Sequence, residues 1–134
     1  MALLNKADKN LSELHYAIEL QNIAASVGFD WPNVDGVIDK VHEEADEVRA
    51  EINIDDNQQR LIDELGDLLF SCTNLARHLN IDPQQALKQA SDKFTQRFNR
   101  VEQLATQQNN ELQDCSIEQL EHLWQQVKQQ LKNN

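Results

Sequence analysis

The chain has 134 residues, with 12 Lys+Arg against 23 Asp+Glu and a net charge of −11. That length suits one domain, residues 1–134, with a core but little to spare, and so acidic a surface excludes a general nucleic-acid binder. Three Gly and two Pro argue against a turn-rich β fold, whereas abundant Leu, Ala, Gln, Glu and Lys at helical spacing argue for an all-α one.

The N-terminus, MALLNKADKN, lacks the apolar core of a signal peptide, and no run approaches about 18 uninterrupted apolar residues. A cytoplasmic protein without membrane contact is therefore expected. The first helix is expected from about Asp8 or Asn10 to Ser26, with Leu11, Leu14, Ile18 and Ala25 inward and His15 and Tyr16 as packing or surface residues. VGFDWPN then breaks the pattern: Gly28 supplies a helix stop and Pro32 biases Trp31 away from helix. Phe29 is expected as a hydrophobic plug. Trp31 either plugs the core too or lines a pocket for a planar base.

Residues 34 to 79 are the heart of the chain. Val34, Val37, Ile38, Val41, Ala45, Val48 and Ile52 recur at helical spacing, as do Leu61, Leu65, Leu68, Cys72, Leu75 and Leu79. The connection around Asn53 to Gln58 is short, which predicts an antiparallel hairpin. Glu44 follows Val41 by three and Glu64 follows Leu61 by three, so both sit on the same flank of their stripes. Glu47 and Asp67 come one turn further along. The pairs Glu44/Asp67 and Glu47/Glu64 are symmetric about Asp55 and Asp56, so four carboxylates should converge at one level of the hairpin. Clustered carboxylates repel one another and resist desolvation, so the cluster needs a reason. A solvated acidic face is the plain one; the register match favours a divalent metal site. Oxygen-only ligands point to Mg²⁺ or Mn²⁺ rather than Zn²⁺.

Gly66 costs that second helix about 1 kcal/mol relative to Ala, which close approach by a ligand or another helix would explain. Cys72 reads as a small buried thiol and Cys115 as incidental; two cysteines make no disulfide framework. Asp82-Pro83 is a helix start, and the helix after it should bury Leu87, Ala90, Phe94, Phe98, Val101 and Ala105. Its Lys93, Arg97 and Arg100 share one edge, where they could clamp phosphates or pair with the acidic helices. Residues 106 to 115 read as a polar loop, and Ser116 with Gln119 as a capping box. The last helix carries Ile117, Leu120, Trp124, Val127 and Leu131 inward, with Lys128 able to snorkel towards a polar site.

There is no GxxxxGK[ST], GxSxG, HExxH or CxxC. A di-iron bundle wants Glu-x-x-His, and no histidine here has Glu three residues before it. Phosphate chemistry remains. Mg²⁺ would bridge substrate oxygens while one of Glu43, Glu44, Glu47 and Glu64 orients or deprotonates water, Glu43 as the outer group.

HEEADEV followed by DELGDLLF resembles the EExxE and ExxD pattern of MazG-type nucleoside triphosphate pyrophosphohydrolases. VGFDW, NLARHL, KFTQRF and WQQVK look like the second domain of bacterial MazG, and the resemblance runs over roughly residues 15 to 131. It implies an all-α, Mg²⁺-dependent enzyme that cleaves a (d)NTP between the α- and β-phosphates. It also implies a helical-bundle homo-oligomer, dimer or tetramer, with sites shared between subunits. By the same resemblance Glu44, Glu47, Glu64 and Asp67 match metal ligands, and Arg60, Lys93, Arg97, Trp124 and Lys128 match positions around the nucleotide. Related folds include dUTPases and phosphoribosyl-ATP pyrophosphatases. An acidic, non-catalytic interaction module is the contrasting expectation.

Overall fold

The computed structural model describes residues 2–132, and the regular structure among them is helical. Five α-helices follow one another: α1 (Glu13–Ala25), α2 (Val34–Glu51), α3 (Gln58–His78), α4 (Pro83–Gln107) and α5 (Ile117–Lys132). Short 3₁₀ turns cover Leu3–Lys6 and Leu112–Asp114. The all-α expectation holds. No helix among the described residues is long and apolar enough to cross a membrane. The chain divides into two compact units, one ending at Ala86 and the other beginning at Leu87.

Polar side chains cap the starts of α1, α2, α4 and α5. Ser12 caps α1, its Oγ accepting from the His15 N–H at 3.3 Å, so the helix begins later than Asp8 or Asn10. Those two instead form a turn, the Asp8 carboxylate accepting from the Asn10 N–H at 2.9 Å. Asn33 caps α2 and Asp82 caps α4, with Pro83 as its first residue. Ser116 and Gln119 exchange bonds of 3.1 and 2.7 Å, closing the capping box.

Three helices end alike. Gly28, Asn80 and Asn109 each take positive φ (92°, 56° and 60°). In each case the next residue's N–H reaches back to a carbonyl in the last turn: Phe29 to Ala24, Ile81 to Ala76, Asn110 to Ala105. These paired bonds satisfy carbonyls the helix leaves free. With its stop at Asn109, α4 runs on to Gln107, into the stretch the sequence reads as loop from Thr106.

In the first unit α2 and α3 form the antiparallel hairpin and α1 packs on α3. The turn is tied at its base, where Asn57 Nδ2 donates to the Glu51 carbonyl and carboxylate at 2.6 and 2.9 Å. The interior is polar: Gln21, Glu44, Glu51, Ser71 and Thr73 are buried alongside Val37. This corrects the expected apolar seam. Leu61, Leu68 and Leu75 are half-buried together with Glu64, and Ser71 is buried, so α3 turns towards its acidic flank. Leu65, Cys72 and Leu79 are exposed, and the expected buried thiol is an open one. With Ile62 and Leu69 they form an outward apolar stripe, its Leu and Ile members half exposed. Phe29 is no plug either, at 81 % exposure.

In the second unit Val101, Leu104, Ala105, Leu123 and Val127 make a buried cluster, with Leu112, Trp124 and Leu131 against it. Only the last turns of α4 are covered; Leu87, Ala90, Phe94 and Phe98 are exposed. Ile117 is exposed as well, contrary to expectation, and Leu123 takes an inward place.

Candidate active site

The hairpin register brings Glu44, Glu64 and Asp67 together: one carboxylate oxygen from each lies within 4.8 Å of the others. Glu44 is buried, Glu64 half-buried and Asp67 exposed. Glu47, one turn along, is exposed and lies outside this trio, although its charge acts on it. Desolvation, then the charges of Glu47, Asp67, Glu44 and Glu51, push the Glu64 carboxyl above the usual carboxylate range.

Lys40 answers part of that charge. Its ammonium lies 3.1 Å from Glu44 and 3.3 Å from the exposed Glu43, and these two partners, Glu44 first, raise its pKa. Arg60 sits at the hairpin base, 2.9 Å from Glu51, rather than on the trio. The donor set fits a hard divalent cation. Ligand oxygens around one Mg²⁺ lie roughly 3 to 4 Å apart, so the trio needs only a modest contraction. The stronger argument is energetic: a buried Glu44 beside a Glu64 that resists ionisation is a cluster short of positive charge.

A cleft of about 650 Å³ opens in the same unit, lined mainly by apolar groups that include Leu20, Ala24, Phe29, Trp31 and Phe70. Lys40 also lines it, so one side chain joins the cleft to the acids. Trp31 packs directly over Gly36 in the first turn of α2. A Cβ there would stand 2.8 Å from a ring carbon, so only glycine leaves the indole its seat.

Asp30 holds the aromatic loop down. Its Oδ1 accepts from Arg77, from His78 at 2.8 Å and from the Trp31 N–H at 2.8 Å. Arg77 foremost, with His78 and the Trp31 amide, lowers the Asp30 pKa to about 2 against the opposing effect of burial. The sequence reading named none of Asp30, Arg77, Asn74, Phe70 and Gln21 as site residues. The contacts that join them, Gln21 with Phe70 and Thr73 and Asp30 with Arg77 and His78, span tens of residues and obey no helical spacing, although VGFDW, DELGDLLF and NLARHL contain Asp30, Phe70, Asn74 and Arg77.

In the second unit the Phe94 ring stacks on Phe98 at 6.0 Å and tilts against Trp124 at 5.5 Å. Arg97 is half-buried, and its buried Nε has no partner among the described residues. Arg100 spends its donors on Gln103 and Gln130, at 3.1 and 3.4 Å. Lys93 and Lys128 are exposed.

The model of the MazG nucleotide pyrophosphohydrolase domain matches residues 34–102. The chain belongs to this family. The match takes in the whole acidic cluster, Arg60, Lys93 and Arg97, and leaves out Trp31, Trp124 and Lys128. The chain is 42% identical over 130 residues to a nucleoside triphosphate pyrophosphohydrolase of Escherichia coli (strain K12), covering 95% of this chain and 49% of the relative. It is 39% identical over 115 residues to the nucleoside triphosphate pyrophosphohydrolase/pyrophosphatase MazG of Thermotoga maritima, covering 86% and 44%. The chain thus spans about half the length of these relatives.

Proposed function

We propose that the chain is a Mg²⁺-dependent nucleoside triphosphate pyrophosphohydrolase acting on (d)NTPs of the cytoplasmic pool. Water attacks the α-phosphorus, the α–β bridging bond breaks, and the products are the monophosphate and pyrophosphate. The convergence of Glu44, Glu64 and Asp67 beside a base-sized aromatic cleft carries this reading.

Glu44, Glu64 and Asp67, with Glu47 adjoining, would hold the cation. Mg²⁺ or Mn²⁺ bound there supplies charge neutralisation for the phosphate oxygens. Glu47, outside the trio, is the carboxylate left to orient or deprotonate water, with Glu43 keeping Lys40 in place. Trp31 offers a face for the base. Arg60, Lys93, Arg97, Trp124 and Lys128 are read as nucleotide contacts from their match to the family pattern.

Incubation with a dNTP panel and Mg²⁺ should yield dNMP and pyrophosphate. Orthophosphate as the first product, or undiminished turnover in excess EDTA, would overturn the proposal.

The working unit we propose is a homo-oligomer, dimer or tetramer, closed by a second copy on the stripe of Ile62, Leu65, Leu69, Cys72 and Leu79. The stripe keeps three- and four-residue spacing, the pattern by which two like helices interlock. Leu65→Lys with Leu69→Glu should lower the sedimenting mass. A wild-type chain that sediments as a monomer at micromolar concentration would rule the assembly out.

A further inference from the structure

Gln21 is an anomaly in the cleft wall. It lies on α1, is 8 % exposed, and lines the cleft. Its Nε2 donates to the Phe70 carbonyl at 3.0 Å and to Thr73 Oγ1 at 3.2 Å. The Thr73 hydroxyl spends its own proton on the Phe70 carbonyl at 2.7 Å, so towards Gln21 it can only accept. A carbonyl and a hydroxyl with no proton to spare both demand a nitrogen, which settles the orientation of the amide. The remaining atom, Oε1, is buried and has no hydrogen-bond partner among the described residues. An unpaired buried acceptor is costly, and native interiors rarely keep one without use.

We infer that Gln21 is a specificity-determining residue whose Oε1 accepts a hydrogen bond from the exocyclic amine of a bound base, so that the cleft favours cytosine and adenine over uracil and thymine. This rests on the reading of the cleft as the base site. An amine projects beyond the ring towards the wall that Gln21 lines together with Leu20, Ala24 and Phe70. A keto group at the same place turns lone pairs against Oε1. The ring N–H of uracil or thymine is flanked by carbonyls, which would press unpaired against apolar side chains. Phe29, the most exposed large side chain of the wall, has room to change rotamer as a ring enters.

The test is calorimetric titration of the whole chain with deoxycytidine monophosphate and with its analogue lacking only the 4-amino group. The amine should tighten binding about tenfold, the effect of pairing or stranding one buried acceptor. Gln21→Met, which keeps the bulk and removes the acceptor, should bring the ratio near one. If that variant loses helicity, Thr73→Val serves instead: it frees one anchor of the amide and should reduce the ratio without abolishing it. Equal binding of the two ligands by the wild-type chain would overturn the inference, as would an unchanged ratio in a folded Gln21→Met. Neither measurement needs hydrolysis. Amine preference without turnover would sink the pyrophosphohydrolase reading and spare Gln21; turnover without preference would do the reverse.

Discussion

Two carboxylates of the first unit are pushed in opposite directions. Glu64, among four other acids, is raised above the ordinary range; Asp30, under Arg77 and His78, is held down to about 2. The acidic trio crowds like charge with only Lys40 to offset it, and the loop anchor is already satisfied. One region concentrates repulsion, the other relieves it. Structural ion pairs and binding sites both perturb carboxylates; in the first unit like charge raises one and an ion pair lowers the other.

The largest expected effect is at the trio. Glu64→Gln should reduce turnover by at least about 100-fold, the upper end of what even the outer partners of a metal cost. Stability should move the other way. A raised pKa means that the folded state holds the proton more tightly than the unfolded one, so stability is lost as pH rises through the raised value. Removing the charge should therefore leave the chain as stable as before or more so at neutral pH. A variant that loses activity only because it unfolds, as circular dichroism would reveal, would remove the contrast.

At the cleft the effect should be in binding. Trp31→Ala should raise KM by roughly tenfold, since stacking a base on an aromatic ring is worth about 1–3 kcal/mol. Helicity should persist, because Trp31 lies outside the helices and is 45 % exposed. Equal KM values for variant and wild type would show that the base lies elsewhere.

Asp30 sharpens the comparison by its sign. Its folded pKa lies below the ordinary value, so the stability it contributes is fully present above about pH 4 and is lost as pH falls to about 2. The depression from 3.8 to about 2 corresponds to at most about 2 kcal/mol, less after screening, since a quarter of the side chain is exposed. Asp30→Asn should flatten that acid limb in denaturant titrations between pH 4 and 2. An unchanged limb would place the acid sensitivity elsewhere.

The same contrast explains what could be read from the sequence. Glu44, Glu64 and Asp67 are delivered by helix periodicity and a short turn, and both are visible in a string of letters. The cleft is assembled from α1, the loop after it, α2 and α3, through pairs such as Gln21 with Thr73 and Asp30 with Arg77, which nothing local announces. The exposed stripe of α3 was misread for a related reason. Apolar spacing marks a face as apolar, but does not say which of its residues the chain's own helices cover. Where polar side chains were buried instead, at Glu44 and Ser71, the hairpin rotated away from its most apolar line.

The smallest effect is the most discriminating. Gly36 occupies the first turn of α2, where alanine is the better helix former by up to about 1 kcal/mol. The added Cβ would stand 2.8 and 3.1 Å from two ring carbons of Trp31, so the indole must leave its seat. Trp31 is a partly exposed loop side chain and can move at little cost to the fold. Gly36→Ala should therefore raise the thermal midpoint slightly or leave it unchanged, while KM for the nucleotide rises by less than in Trp31→Ala. Stability and binding should part company, because Gly36 leaves room for the Trp31 ring and does nothing for the helix. If KM stays at the wild-type value while the midpoint rises, the seat on Gly36 is not what positions Trp31, and the task falls to Asp30 alone.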